Sequence, residues 1–299
     1  MRLDSFDLNL LVAFDVLLEE RSVTRAARRL NVTQSAMSAS LKRLREAMQD
    51  EILVQHGKRM IPTAHALKLA PEISAAILAL RSLISAGTAF DPATSQRRFR
   101  IEASDYITTV LIVPLLTVLA REAPGIALDL SLPFEGSAER LANGDLDLLL
   151  TPEQFMRQEH PRELLFEERH VVVGWSGNPL LHRRMTESEF FDAGHVAVRI
   201  SDRDTFIESV LRDYGPRRRI EVIAPSFIQA PWLLPGTLRL ALMHERLARL
   251  VAPGLSLAIG EPPIPLPVMR EMMQFHAARA KDPGLEWLRA RLRDLAVRA

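Results

Sequence analysis

The 299-residue chain contains no cysteine. That excludes a disulfide scaffold, a thiolate metal site and a cysteine nucleophile, and it suits a reducing, intracellular setting. Long uncharged runs are scarce too. Tyr106 to Ala120 falls short of the about 20 apolar residues that a spanning helix needs, and Val222 to Leu238 is interrupted by Pro225, Pro231 and Pro235. Asp4, Asp7 and Asp15 break the amino-terminal apolar pattern where an export signal needs an unbroken one. A cytoplasmic protein with no membrane partner is expected. Net charge is nearly absent, with 38 basic and 37 acidic residues leaving +1. Hydrophobic residues at 47% and charged residues at 25% match soluble globular proteins and exclude disordered or fibrous chains.

Motifs for catalysis are missing as well. No Gly-x-Gly-x-x-Gly and no Gly-x-x-x-x-Gly-Lys occurs, so a nucleotide cofactor has no local support and no cofactor is expected. The 8 histidines never fall at i, i+3 or i, i+4 from one another, which leaves a zinc-hydrolase helix and a metal site unsupported. Gly174-Trp-Ser-Gly-Asn carries half of a hydrolase elbow and lacks its second glycine. No catalytic residue is expected.

What is present begins with a local charge excess. Between Arg21 and Arg45 stand Arg21, Arg25, Arg28, Arg29, Lys42, Arg43 and Arg45 with no acid, a footprint for a polyanion. Leu8, Leu11, Val12, Phe14 and Val16 to Leu18 predict a first helix. Ser22 can cap a second, short helix whose face is Val23, Ala27 and Leu30. Asn31 tolerates the left-handed conformation of a sharp turn, and Thr33 can cap a third helix that buries Met37, Leu41, Leu44 and Met48. Ala26 and Ala27 let the helices approach, giving a helix-turn-helix. Its third helix would enter the major groove of double-stranded DNA. Gln34, Ser35, Ser38 and Lys42 point outward there, able to hydrogen-bond bases or phosphates, and Thr33 suits a phosphate. Lys58 and Arg59, in a Gly-containing turn between two short apolar runs, read as a wing beside the DNA.

From Thr63 to Gly87 the spacing of Ala66, Ala70, Ile73, Ile77, Leu80 and Ile84 makes a heptad seam of nearly three repeats, which needs a partner chain or the protein's own domains. Pro71 is expected to kink or break its first turns. Beyond it the pattern becomes βαβαβ through Leu150 and then resumes as further strands and helices, predicting two α/β lobes with parallel sheets. Two crossings, near Glu163 and near Pro263, would make them hinge like periplasmic binding proteins. The expected divisions are 1–62 for the winged helix-turn-helix, 63–87 for the linker helix and 88–299 for an effector domain. Within the last, lobe I is 95–163 with 268–299, and lobe II is 164–267. Ligands of open α/β sheets sit at strand ends. Candidate ligand contacts are therefore Ser104, Asp105 and Tyr106 in lobe I, and Arg199, Ser201, Asp202 and Asp204 in lobe II, with Phe227 and His276 at the sides. Asp105 and Asp204 disfavour a simple carboxylate ligand unless Arg199 compensates.

The run Ser22 to Arg45, SVTRAARRLNVTQSAMSASLKRLR, resembles the winged helix-turn-helix of the LysR-type transcriptional regulators. Their usual core is an Ala-Ala pair, a Thr-Gln-Pro-Ala segment and a Ser before Leu-Lys/Arg. Ser35 stands here where Pro is usual, and Ala39 where many members carry a polar or basic side chain. FDPATSQRRFRI, REAPGI, NGDLDLLL and KDPGLEWL extend the resemblance over the whole chain, toward the branch of nodulation regulators and regulators of naphthalene, salicylate and nitroaromatic degradation. The resemblance implies a linker helix pairing two subunits antiparallel, a homodimer or homotetramer, and a small aromatic effector between the lobes. The rival reading is a ligand-binding or enzymatic α/β protein without specific DNA binding.

Overall fold

A computed structural model describes residues 6–57, 59–86, 90–200, 203–214 and 218–297. The chain forms two compact units, the first built mainly on residues up to 86 and the second on residues from Phe90. Among the described residues, no helix is long and apolar enough to cross a membrane.

The first unit contains α1 (Asn9–Glu20), α2 (Val23–Arg29), α3 (Gln34–Met48), the hairpin β1 (Leu53–His56) and β2 (Arg59–Pro62), and α4 (Ala64–Ala86). Local chemistry sets each boundary. Ser22 accepts the Arg25 amide at 3.4 Å and Thr33 accepts the Ala36 amide at 3.2 Å, so both hydroxyls cap free helix N–H groups. Arg21, Asn31 and Gln49 take left-handed φ values of 46°, 55° and 53° at the turns that end α1, α2 and α3. Phe14, Leu17, Ala26, Met37, Leu44 and Leu53 close the core. Ile52 is also left-handed, at φ 62°, which costs a β-branched residue about 1–3 kcal/mol. Burial of its side chain and a 2.7 Å bond from its amide to Asp50 Oδ1 hold it there.

Pro71 does not break α4, which runs through it. Leu67, whose carbonyl would have received the missing proline N–H, lies on the exposed face where water can serve it. The heptad seam divides. Ala66, Ile73 and Ile77 pack into the unit's own core, whereas Leu83 and Ile84 are 71% and 78% exposed.

The second unit starts with β3 (Arg98–Glu102), α5 (Asp105–Ile107) and α6 (Val113–Glu122), with a π-turn at Thr108–Ile112 between the helices. There follow β4 (Ala127–Ser131), α7 (Ser137–Ala142), β5 (Leu148–Pro152), β6 (Arg162–Glu168), β7 (His170–Trp175), α8 (Glu187–Asp192), β8 (Gly194–Ile200), β9 (Arg203–Asp204) and α9 (Phe206–Tyr214). The chain continues with β10 (Arg219–Ala224), β11 (Leu240–His244), α10 (Glu245–Leu255), β12 (Leu257–Gly260), β13 (Met269–Gln274) and α11 (Pro283–Ala296). Lobe I holds a sheet of order β4-β3-β5-β13-β6, and lobe II one of order β10-β8-β11-β7-β12. Both sheets are mixed rather than parallel. β13 runs antiparallel to β5 and β6, and β7 runs antiparallel to β11 and β12.

Because β6 belongs to the lobe I sheet, the first crossing falls at Arg169, between β6 and β7, rather than near Glu163, and the second spans 261–268. Arg162, Glu163, Glu167 and Glu168 hide β6 from a reading by hydrophobic pattern. Pro253 and Gly254 likewise hide α10. Between Phe227 and Leu234 the chain makes only a 3-10 turn, Ala230–Leu233, with Pro231 in its first positions and Pro235 after it.

One polar network ties α11 to the lobe I sheet. Asp282 caps α11 through the Gly284 and Leu285 amides at 3.1 Å each. It also accepts from Arg97 Nη1 at 2.6 Å and Arg279 Nη2 at 3.1 Å, and Arg279 also pairs with Asp147. Burial alone would raise the Asp282 pKa, but the bonds from Arg97 and Leu285 and the charges of Arg97 and Arg279 outweigh it and bring it to about 2. A depressed carboxylate stabilises the fold above its unfolded pKa of 3.8, and that contribution disappears as the pH falls toward about 2. Asp282→Ala should cost about 3–5 kcal/mol at neutral pH, because it leaves buried guanidinium groups unpaired. Urea melts should show the wild-type advantage shrinking on acidification below the unfolded pKa, and a pH-independent difference would contradict this network.

Candidate functional site

Two surfaces carry chemistry, one in each unit. In the first, the burial of Met37, Leu41 and Leu44 turns the opposite face of α3 to solvent. Gln34 opens the helix, and Ser35, Ser38 and Lys42 continue along one exposed stripe. The Thr33 hydroxyl, besides capping, lies 2.9 Å from Ser35 Oγ. Lys42 is 80% exposed, with Glu46 4.0 Å away. Arg59 stands exposed at the start of β2, opposite His56 across a turn that needs Gly57 at φ 62°. Lys58 lies outside the described residues.

The basic block is less naked than its sequence suggests. Arg25 and Arg29 pair with Glu20, Arg29 also with Glu19, and Arg43 with Asp7. Arg45 is structural. Its guanidinium donates to the Glu51 and Leu53 carbonyls at 2.9 Å each and so holds the root of the β1–β2 wing against α3.

In the second unit, a cavity of about 360 Å³ lies between the lobes, within the range of small-molecule sites. Ser104, Tyr106, Asp204 and Phe227, four of the residues expected from sequence, line it. The others do not. Asp105 Oδ2 accepts from Ser226 Oγ at 2.5 Å and from the Ile228 amide at 3.2 Å, a link between the lobes. Arg199 pairs with Asp204 at 3.2 Å and stays outside the lining. His276 is buried, caps a 3-10 turn by accepting from the Ala278 amide at 3.1 Å, and packs on His160 with ring centroids 4.5 Å apart. Ser201 and Asp202 lie outside the described residues.

The inner end of the cavity is an aromatic and acidic cluster. The Tyr106 ring stacks on His244 with centroids 3.8 Å apart, and Phe227 meets His244 edge-on at 4.7 Å. The Tyr106 hydroxyl donates to Glu168 Oε2, which also accepts from Arg246 Nη1 at 2.7 Å, while the Arg246 amide reaches Oε1 at 3.3 Å. Glu168 therefore also serves the amino terminus of α10. Burial and the Glu168 charge push the Tyr106 pKa upward, so the phenol remains a donor. Burial lowers His170 to about 4, and burial with the neighbouring His170 holds His244 well below the usual imidazole range, so both rings are neutral. Burial and the Glu168 charge raise Glu271 well above the carboxylate range.

Sequence reasoning missed Glu168, His244, Glu271, Thr205, Phe206, Phe134 and Phe155. One sign was available for the acids. Glu271 alternates with exposed Arg270 between buried Met269 and Met272, which places a charge on the covered face of a strand.

Comparison with known proteins fits both surfaces. Residues 8–67 match the family described as bacterial regulatory helix-turn-helix protein, lysR family, and residues 92–296 match the LysR substrate binding domain. Nodulation protein D 2 of Bradyrhizobium elkanii is 40% identical over 300 residues, covering 100% of this chain and 91% of that protein. Nodulation protein D 1 of Bradyrhizobium sp. (strain NC92) is 41% identical over 292 residues, covering 97% and 93%. A solved structure titled probable transcriptional regulator, from Pseudomonas aeruginosa, matches with a TM-score of 0.65 at 31% identity over 97% of each chain. Full-length LysG from Corynebacterium glutamicum, solved with bound effector Arg, shares the fold at a TM-score of 0.68 and 19% identity, over 98% of this chain and 99% of that one. The chain belongs to the LysR family of DNA-binding transcriptional regulators, with an amino-terminal helix-turn-helix and a carboxy-terminal effector-binding domain.

Proposed function

We propose that the chain binds a promoter operator as an oligomer, in the cytoplasm, and that a small aromatic effector between the lobes changes its affinity for that operator. One observation carries the reading: a single chain combines the exposed polar stripe of α3 with an aromatic-walled cavity in a two-lobed domain. Gln34, Ser35 and Ser38 would read base edges, and Thr33, Lys42, Lys58 and Arg59 would contact phosphates. Ser104, Tyr106 and Phe227 would contact the effector, with Thr205, Phe206, Phe134 and Phe155 completing the walls. The chain performs no chemistry on its ligand in this reading. In support, Glu168 is taken up by Tyr106 and Arg246, Asp204 by Arg199 and Arg212, and the two inner histidines are neutral and buried.

The exposed Leu83 and Ile84 of α4 support pairing of subunits through the carboxy-terminal part of that helix. Two such chains would present two recognition helices to the half-sites of one operator. A homotetramer would follow from a second pairing of dimers.

With an operator selected from random duplexes, Gln34→Ala should weaken specific binding by about 1–3 kcal/mol and leave non-specific affinity nearly unchanged. Lys42→Ala should weaken both and reduce the salt slope by about 1. Equal loss on random DNA for Gln34→Ala would contradict the placement of α3 in the groove.

Ile84→Glu should weaken the dimer and leave the fold intact, since the side chain is exposed, whereas Ile77→Glu should destabilise the unit that buries it. Sedimentation velocity with circular dichroism separates the two effects. A wild-type chain that sediments as a monomer at micromolar concentration removes the pairing.

Effector affinity should differ between free and operator-bound protein by the same factor by which the effector changes DNA affinity. Calorimetric titration of a stabilising aromatic compound into both forms measures it. Identical affinities eliminate the coupling, and unchanged binding by Phe227→Ala removes the site.

A further inference from the structure

Some polar groups at the inner end of the cavity have partners, whereas Thr205 Oγ1, His244 Nδ1 and Glu271 Oε1 are buried in its lining without one. Glu168 accepts from Tyr106 and from Arg246, and Asp204 is held by Arg199 at 3.2 Å and by Arg212 at 2.5 Å. Glu271 differs. Its side chain is 1% exposed and lines the cavity, and its Oε1 has no hydrogen-bond partner. Among the described residues no salt bridge reaches it.

The position on β13 explains this isolation. Glu271 stands opposite Phe166 on β6 and Pro152 on β5, and neither offers a side-chain donor. An ionised carboxylate so placed would be desolvated and uncompensated, beside the charge of Glu168. The group keeps its proton instead, as burial and Glu168 dictate. A protonated carboxyl has one O–H to donate and oxygen lone pairs to accept with. No partner within the protein uses Oε1, and the open space next to the residue is the cavity itself.

We infer that Glu271 is the specificity-determining residue of the effector cavity, a neutral carboxyl that hydrogen-bonds an uncharged acceptor oxygen of the ligand. This rests on the reading of the cavity as an aromatic-effector site and names the polar half of that effector: a carbonyl or comparable oxygen attached to the ring system, not a carboxylate. The electrostatic environment that keeps Glu271 from ionising acts equally on a ligand carboxylate brought beside it. Tyr106 and Phe227 grip the ring, and Glu271 checks what the ring carries.

The test uses the full chain with two probes of matched size, 4-hydroxyacetophenone and 4-hydroxybenzoate, followed by calorimetry at neutral pH. The ketone should bind wild type at least about tenfold more tightly than the carboxylate. Glu271→Gln, which keeps a neutral donor of the same shape, should bind the ketone within about threefold of wild type, and Glu271→Leu should lose about tenfold or more. Equal binding of the two probes, or equal loss in Glu271→Gln and Glu271→Leu, overturns the assignment. If both probes bind alike and Phe227→Ala weakens both, the aromatic site stands and only the role of Glu271 falls. If neither probe binds, the assignment falls, and the effector reading is decided separately by the titrations with and without operator. A readout without ligand comes from infrared spectroscopy at neutral pH. Wild type should show the C=O stretch of a protonated carboxyl that Glu271→Gln lacks, and the absence of that difference overturns the assignment whatever the variants bind.

Discussion

A carboxylate buried where the chain crosses from one lobe to the other constrains the second unit. Glu168 ends β6 and is 1% exposed, so it requires compensation worth about 3–5 kcal/mol, by the usual cost of breaking a buried pair. The compensation comes from both sides of the crossing. Tyr106 donates from α5 in lobe I, and the Arg246 side chain and amide donate from the start of α10 in lobe II. One charge thereby fixes the floor of the cavity and the orientation of the Tyr106 ring over His244, and it adds to burial in raising the pKa of Glu271.

The same arrangement defines what can move. Arg169, next in the chain, pairs with Glu261 at the other crossing at 2.8 Å, so the two crossings lie side by side. The link of Asp105 to Ser226 and Ile228 and the stacking of Tyr106 on His244 are contacts that an opening of the cleft must break. The Asp105 link sits at the amino terminus of α5, one turn before the π-turn at Thr108–Ile112, a local geometry often found at functional sites. A ligand shifts such an equilibrium only through its different affinity for the two states. The residues able to sense that difference are those that bridge or line the cleft.

In the first unit the organising interaction is again a polar group serving several elements, here a half-buried one. Asp50 accepts from the Ile52 amide at 2.7 Å and from the Thr63 hydroxyl at 2.5 Å, and Arg45 from α3 holds the Glu51 and Leu53 carbonyls. The β1–β2 hairpin and α3 are therefore tied together, and the left-handed strain at Ile52 is carried by its anchors. With several arginines paired to acids, the exposed polar stripe of α3 stands beside less free positive charge than the basic block contains.

The sequence by itself determined the helix-turn-helix, because its instructions are local. Ser22 and Thr33 cap within three residues, Asn31 turns the chain, and Met37, Leu41 and Leu44 orient α3, so its exposed residues could be named without a structure. It also determined the two α/β lobes, whose alternating apolar strands and helices persist through many residues. Tertiary structure decided the remainder. The crossing at Arg169 was hidden by the charges of β6, and the sheet directions depended on β13 returning from far along the chain. Self-packing of Ile73 and Ile77 left only the end of the α4 seam open. The acids of the cavity were legible as residues but not as a site. Glu168, Tyr106, Arg246 and Glu271 come from four separate elements, and whether a buried carboxyl carries a charge or a proton depends on neighbours that only the folded chain brings within reach.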